Sequence, residues 1–526
     1  MVAAEPRLRS HPIRQLRRRA PVVTAISVVV ALALLLPLVY LLIAARQTGW
    51  ATIQHLLFRP LSAELLRNTV ELSILVVTFA AVIATFAAWC VERTKLPGRQ
   101  VWTVLLVLPV AIPDFVVGYA WHSLVPGLVG LPGATLVMTF TVYPLIYLPV
   151  IAALRRADPA LEETARSLGY GRMRTFTRAV LPQIRPALLG GCLVVTLVLL
   201  AEFGAFEIMN FRTFTTVIFS EFQVDAPAAY ALSLVLVVLG LLVLVAEAAA
   251  TGGGRISRSG PQAARPPLRY RLGRATVPVL AALVALVVVA LGVPLGTLAY
   301  WLSHQQHSTL PASATLAEAA ATTAKYAAVA ALIATAAALP VALVAIWHRN
   351  RVSILIERST YLIQSLPGVV VALTLVSFAI RYATAIYQTG VLLVVAYGLM
   401  FFPLALVCLR VSVAQAQPQL AEVGRSLGRR PGSVLIRVTL PLVAPGLLAG
   451  FCMVFLSCVT ELTATLVLIP TGEQTLATQF WAFQSNTSYG AAAPYAALIV
   501  AVAALPSVLL SAWFSRRSRS VGAEAV

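Results

Sequence analysis

The stretch EETARSLGYGRMRTFTRAVLPQIRP, Glu162 to Pro186, carries seven charged residues in a chain that is only 11% charged. A second version, AEVGRSLGRRPGSVLIRVTLPLVAP, runs from Ala421 to Pro445. At an offset of 259, positions 157–191 and 416–450 share 15 identities in 35 without a gap. The shared residues include Pro159/Pro418, Glu163/Glu422, Arg166/Arg425, Ser167/Ser426, Leu168/Leu427, Gly169/Gly428, Pro182/Pro441 and Pro186/Pro445. The chain is therefore built from two copies of one unit.

The setting of each copy gives the fold class. Of the 526 residues, 60% are hydrophobic, too many for a soluble protein of this length to bury, so the excess faces lipid. Apolar runs of about 20 residues suit a hydrocarbon core of roughly 30 Å. Twelve are expected, at 22–44, 70–90, 101–124, 134–154, 188–210 and 230–250, then 275–302, 326–347, 361–380, 391–409, 447–469 and 493–514. Each charged stretch follows the fourth run of its half. The expectation is an all-α, polytopic membrane protein with about twelve transmembrane helices in two parallel six-helix repeats. Its domains are 1–250 and 275–526. Residues 251–274, rich in Gly, Pro and Arg, read as a flexible cytoplasmic linker.

Net charge is +20, yet most of the 39 Lys and Arg fall on one side when twelve spans alternate. That asymmetry puts both termini in the cytoplasm of a multi-pass cell-membrane protein. It makes an anionic inner leaflet, rather than nucleic acid, the partner of the basic excess. The first run, after a basic start, mimics a signal peptide but exceeds a typical h-region, so an uncleaved span is expected. The five cysteines lie in or at the ends of spans without CxxC spacing, which points to neither disulfide nor metal site.

The charged segment can be folded on paper. Asp158 is a natural N-cap, and Pro159 suits the first helical position. Glu162 and Glu163 lie near the positive helix start. Gly169 supplies the left-handed residue that stops the helix. A second short helix is expected from about Arg172 to Val180, ending before Pro182. Small side chains at Ala165 and Gly424 would let another surface approach closely. A mere connector could be shorter and need not recur with the same residues, so the segment reads as a docking element.

E-x-A/G-x-x-x-G followed by Leu-Pro thirteen residues later resembles the EAA loop of ABC importer permeases. The segments concerned are 158–186 and 417–445. Thr164 and Val423-Gly424 depart mildly from that pattern. The resemblance covers nearly the whole chain as a fused pair of permease domains. It implies that Glu163, Ala165, Gly169, Glu422, Gly424 and Gly428 belong to coupling helices that dock on two copies of a cytoplasmic ATPase. It also implies a separate extracytoplasmic binding protein. Only two lysines occur, Lys95 and Lys325, and neither completes a P-loop, so ATP is used by the partner and no cofactor is expected here. His304 and His307 supply only half a metal site.

Ionisable residues inside spans are candidates for the transport path. Glu202 in AEFGAF and Glu461 in TELTATL occupy equivalent positions of the fifth and eleventh spans. Asp114, beside Pro113, aligns with Gly368 and adds a third carboxylate. The alternative for the two glutamates is a structural role, bonded to nearby backbone. The chain resembles most the fused permeases of the ferric-iron importer family, while thiamine and aminoethylphosphonate permeases share the architecture. A twelve-span secondary carrier is the competing class. No Lys or Arg is paired with an acid near mid-membrane, and the repeated loop has no explanation in such a carrier.

Overall fold

A computed structural model describes residues 21–252, 269–304, 312–347, 351–364, 366–416 and 418–504. Among them the chain is helical throughout, apart from a single bridge between Thr94 and Tyr270. In the first half the order is α1 (Pro21–Thr48), α2 (Pro60–Arg93), α3 (Arg99–Leu105), α4 (Asp114–Leu124) and α5 (Gly130–Arg156). There follow α6 (Pro159–Ser167), α7 (Met173–Ala201), α8 (Gly204–Ile208), α9 (Phe214–Phe222) and α10 (Ala226–Gly252). The second half repeats it as α11 (Gly273–Ser303), α12 (Ser313–Trp347), α13 (Arg351–Gln364), α14 (Gly368–Tyr382) and α15 (Gly390–Gln415). Then come α16 (Pro418–Ser426), α17 (Gly432–Val459), α18 (Thr463–Leu468), α19 (Leu476–Ser485) and α20 (Tyr489–Ala504).

Nine of the described helices are long and apolar enough to cross a membrane. The bent stretch 99–124 takes the place of the third expected span, and the shorter apolar helices α14 and α20 take those of the ninth and twelfth. Four expected spans are thus not plain rods. The third turns by 90° between Arg99–Ala111 and Asp114–Leu124, where Pro113 is the N-cap of α4. The ninth breaks at the matching Pro367, the N-cap of α14. A proline disfavours helical backbone in the residue before it, so both breaks have one local cause. The fifth and eleventh spans stop at Ala201 and Val459, well short of the expected 210 and 469.

One expected stop does not occur. The helix after the first charged loop does not end before Pro182 but runs unbroken from Met173 to Ala201. Its continuity comes from a π turn at Phe176–Val180, matched at Leu435–Thr439 in the second half. A proline has no N–H to give and crowds the carbonyl four residues back. A wider turn just ahead of Pro182 and Pro441 relieves both problems.

Packing crosses the linear domain boundary. Within each half, α2 lies along α5 and α5 along α7, just as α12 lies along α15 and α15 along α17. The first helix of each half goes to the other one. Helix α1 lies against α12, α13 and α14, and α11 lies against α4. Tyr230 donates to Ser377 Oγ at 2.7 Å, and Trp301 Nε1 donates to Ser123 Oγ at 3.1 Å, sewing the halves together. Most of the linker lies outside the described residues. Its last part does not hang free, because Tyr270 N donates to Arg93 O and Lys95 N donates to Tyr270 O.

This exchange predicts that the linker is dispensable for cohesion. A protease site inserted between Gly254 and Ala264 should be cut in detergent without separating the halves. Size-exclusion chromatography after cutting, with both fragments in one peak, is the expected outcome.

Candidate functional site

Two regions answer to the residues singled out above. At one end of the bundle, α6 begins at Pro159, with the Asp158 side chain accepting from Ala160 N at 2.9 Å. It ends in a left-handed glycine, Gly169, at φ 79°, and α16 ends in Gly428 at the same φ 79°. Tyr170 N reaches back to Ala165 O, and Arg429 N to Gly424 O, closing the same C-terminal loop in both copies. Glu163 is exposed on α6, whereas the Glu422 side chain lies outside the described residues. Ala165 is buried, and a Cβ on Gly424 would come within 3.3 Å of Val434. The close approach allowed by Gly424 is made by the chain's own following helix.

The residue that fastens the first loop is Glu162, which sequence reasoning named only for its place near a helix start. It is fully buried with Arg93 from the end of α2, 2.8 Å apart. Tyr270 donates to the other carboxylate oxygen at 3.3 Å, and Arg166 lies over the Tyr270 ring at 5.5 Å. Burial pushes the Glu162 carboxyl up, while Arg93, then Tyr270 and Arg166, pull it back down. The second copy has Ala421 at this position, so the fastening belongs to the first half alone. The sequence signal was the mismatch Glu162/Ala421 beside the matching Glu163/Glu422, one of twenty mismatches in the 35 aligned positions.

The second region lies between the halves. Glu202 follows the last residue of α7 with extended backbone, and its Oε1 accepts from Ala205 N at 2.7 Å. Glu461 does the same after α17, accepting from Ala464 N at 3.0 Å. Each therefore caps the short helix beyond it. The carbonyls freed by the breaks are also taken up, with Thr215 donating to Glu202 O and Thr465 donating to Glu461 O. Tyr397 bonds Thr465 in turn, at 2.6 Å. Helix α8 packs on α4 within the first half and α18 on α14 within the second, and the two breaks meet where Gly204 lies against Leu462. At their meeting point a Cβ on Gly204 would lie 2.7 Å from Leu462 and 2.8 Å from Phe115, so only glycine fits.

Asp114, Glu202 and Glu461 line one cavity of about 350 Å³, with Ser457, Thr460 and Phe401 on its walls. Asp114 and Glu202 come from the third and fifth spans of the first half and line the same cavity, so their like charges favour a cation between them. The cavity is not symmetric, because Gly368 stands where Asp114 does and its missing side chain leaves room for Glu461 Oε1, 3.1 Å from a Cβ built there. Among the described residues no three His, Cys, Asp or Glu groups are set to hold one metal ion. The carboxylates line the cavity without forming a coordination cage. An aromatic layer closes the space beside them, with Phe115 against Phe480 at 5.2 Å and Phe203 against Trp481 at 5.5 Å. His304 stacks on Tyr300 at 4.2 Å, and His307 lies outside the described residues.

Two parallel halves, a repeated capped loop and a carboxylate cavity between matching helix breaks describe a transport channel driven from one face. The chain belongs to the family of binding-protein-dependent transport system inner membrane components, whose model matches residues 80–250 and 334–520. It is thus a membrane permease with a substrate-binding protein and an ATPase as partners, which sets aside the secondary-carrier alternative. Over 501 residues it is 36% identical to the Fe(3+)-transport system permease protein FbpB 2 of Haemophilus influenzae, covering 94% of this chain and 98% of that one. It is 32% identical over 237 residues to the sulfate transport system permease protein CysT of Escherichia coli, covering 41% of this chain and 86% of that one. The molybdenum transport system permease protein ModB of Escherichia coli is 30% identical over 154 residues, 26% of this chain and 67% of that one.

Removing one member of a buried ion pair leaves the other uncompensated, at a cost of about 3–5 kcal/mol. Glu162→Ala should therefore lower the thermal unfolding temperature of the purified permease markedly. Glu162→Leu combined with Arg93→Leu should recover most of the loss, measured by the same unfolding curve.

Proposed function

We propose that this chain is the whole permease of an ATP-driven importer of ferric iron, with both termini in the cytoplasm. The observation that carries the substrate is the 36% identity to an Fe(3+)-transport permease over 94% of the chain. The chemistry of the cavity supports it. A hard trivalent cation favours oxygen ligands and is drawn by negative charge, and three carboxylates line the space between the halves. Permeases for oxyanions such as sulfate would gain nothing from that charge. Asp114, Glu202 and Glu461 are assigned to the translocation path, where they lower the barrier for a passing cation while Glu202 and Glu461 also cap their short helices.

In this reading α6 and α16 are the coupling helices, and one chain engages two ATPase subunits. Glu163, Ala165, Gly169, Glu422, Gly424 and Gly428 belong to the docking elements, with Gly169 and Gly428 fixing the turn and Glu163 exposed on α6. A binding protein delivers iron from the opposite side.

The test is uptake of radioactive ferric iron by proteoliposomes holding the permease, its ATPase and its binding protein. A unit charge at about 4 Å is worth ~1 kcal/mol even in bulk water. Glu202→Gln and Glu461→Gln should each lower uptake at least about fivefold, and the double variant more, with ATP hydrolysis retained. Parental uptake by well-folded Gln variants would remove the carboxylates from the path. At the other face, valine at a left-handed position costs roughly 1–2 kcal/mol. Gly169→Val/Gly428→Val should insert normally yet lose transport, and full transport by that variant would remove α6 and α16 from coupling.

A further inference from the structure

Beside the first coupling loop, an apolar groove of about 550 Å³ opens between α2 and the start of α7. One wall is Val82, Phe86 and Trp89 of α2, and the other is Met173, Phe176 and Leu188 of α7. The floor near the loop end is closed by Tyr270 and Leu272, from the far end of the linker. Tyr270 is held there by its backbone bonds to α2 and by stacking on Trp89 at 5.9 Å. From Ala81 to Trp89 the groove follows α2 for roughly 12 Å at 1.5 Å per residue. That is close to the depth of one leaflet, about half of the 30 Å core.

The groove has a charged rim at one end only. Lys95, Arg269, Arg271 and Arg274 are exposed and lie within two residues of the groove residues Thr94, Tyr270 and Leu272, and exposed Arg174 follows the groove residue Met173. None of these five has an ion-pair partner among the described residues. The nearby acids Glu92 and Glu162 are buried, the first against Arg99 and Arg155 and the second against Arg93. An apolar slot one leaflet deep, ending in unneutralised basic side chains, has the form of an acyl chain joined to an anionic headgroup.

We propose that this groove is a binding site for one anionic diacyl phospholipid of the leaflet on the coupling-loop side. One acyl chain lies between α2 and α7, and the headgroup phosphate meets Lys95, Arg269 and Arg271. Because Tyr270 forms part of the groove and also bonds Glu162 of α6, a seated lipid braces the first coupling helix. The second helix, with Ala421 in place of Glu162, has no such brace. The naming of this leaflet as cytoplasmic and of α6 as a coupling helix rests on the function proposed above, and lipid retention is measured without transport.

The experiment is native mass spectrometry of the full-length permease, purified in mild detergent with equal amounts of phosphatidylglycerol and phosphatidylcholine. One phosphatidylglycerol should be retained in preference to phosphatidylcholine. At about 1 kcal/mol per basic residue near a lipid surface, Lys95→Ala/Arg269→Ala/Arg271→Ala should lose at least about tenfold of that preference. Thr85→Trp, which fills the groove from α2, should remove the bound lipid of either kind. Equal retention of the two lipids by the parent chain would overturn the proposal. So would parental retention by the triple variant, whose changes are all on exposed residues, or by a folded Thr85→Trp.

Discussion

A helix that stops inside a bilayer must have its freed backbone groups bonded by protein, since lipid offers no partner. Much of this molecule follows from where that requirement is met. The fifth and eleventh spans stop at Ala201 and Val459, just before Glu202 and Glu461, and the third and ninth break at Pro113 and Pro367. At the first two stops a glutamate takes an N–H of the next short helix, and a threonine takes the glutamate's own carbonyl. Such breaks are tolerated only when buried in protein or lining a polar space. They therefore meet in the middle of the molecule, and the cavity between the halves is the result.

The caps and turns of the repeated loops were legible in the sequence, because what shapes them is local. Asp158, Pro159 and Gly169 act within a few residues of one another, and the cap and the left-handed turn form as their chemistry dictates. The two-fold repeat was equally plain from one ungapped alignment. What the sequence hid was non-local or depended on a less common turn. Pro182 reads as a helix stop, yet a π turn ahead of it carries the helix through. Glu162 and Glu163 look alike in sequence, and only the arrival of Arg93 and Tyr270 from elsewhere separates a buried anchor from an exposed acid. The structural and pathway readings of Glu202 also turned out to be compatible, since one carboxylate oxygen can cap a helix while the group faces a cavity.

The halves are copies, but they have diverged where function is expected. The first half alone carries Asp114 in the cavity and the Glu162–Arg93 pair behind its coupling loop. The second has Gly368 and Ala421 in those places. One chain holding both copies permits this, because neither copy must serve in both positions. The exchanged first helices, α1 and α11, tie the unequal halves together.

A cavity between the helix breaks that serves as the passage opens to water from alternate sides during turnover. Single cysteines at Ser457 and Thr460, in a chain with its five native cysteines replaced, report on that opening. The complex would then be treated with membrane-impermeant thiol reagents, with and without ATP. The account predicts that labelling from a given side changes with ATP turnover and is slowed by ferric iron with its binding protein. Cysteines there that stay unlabelled from both sides in every state would contradict it.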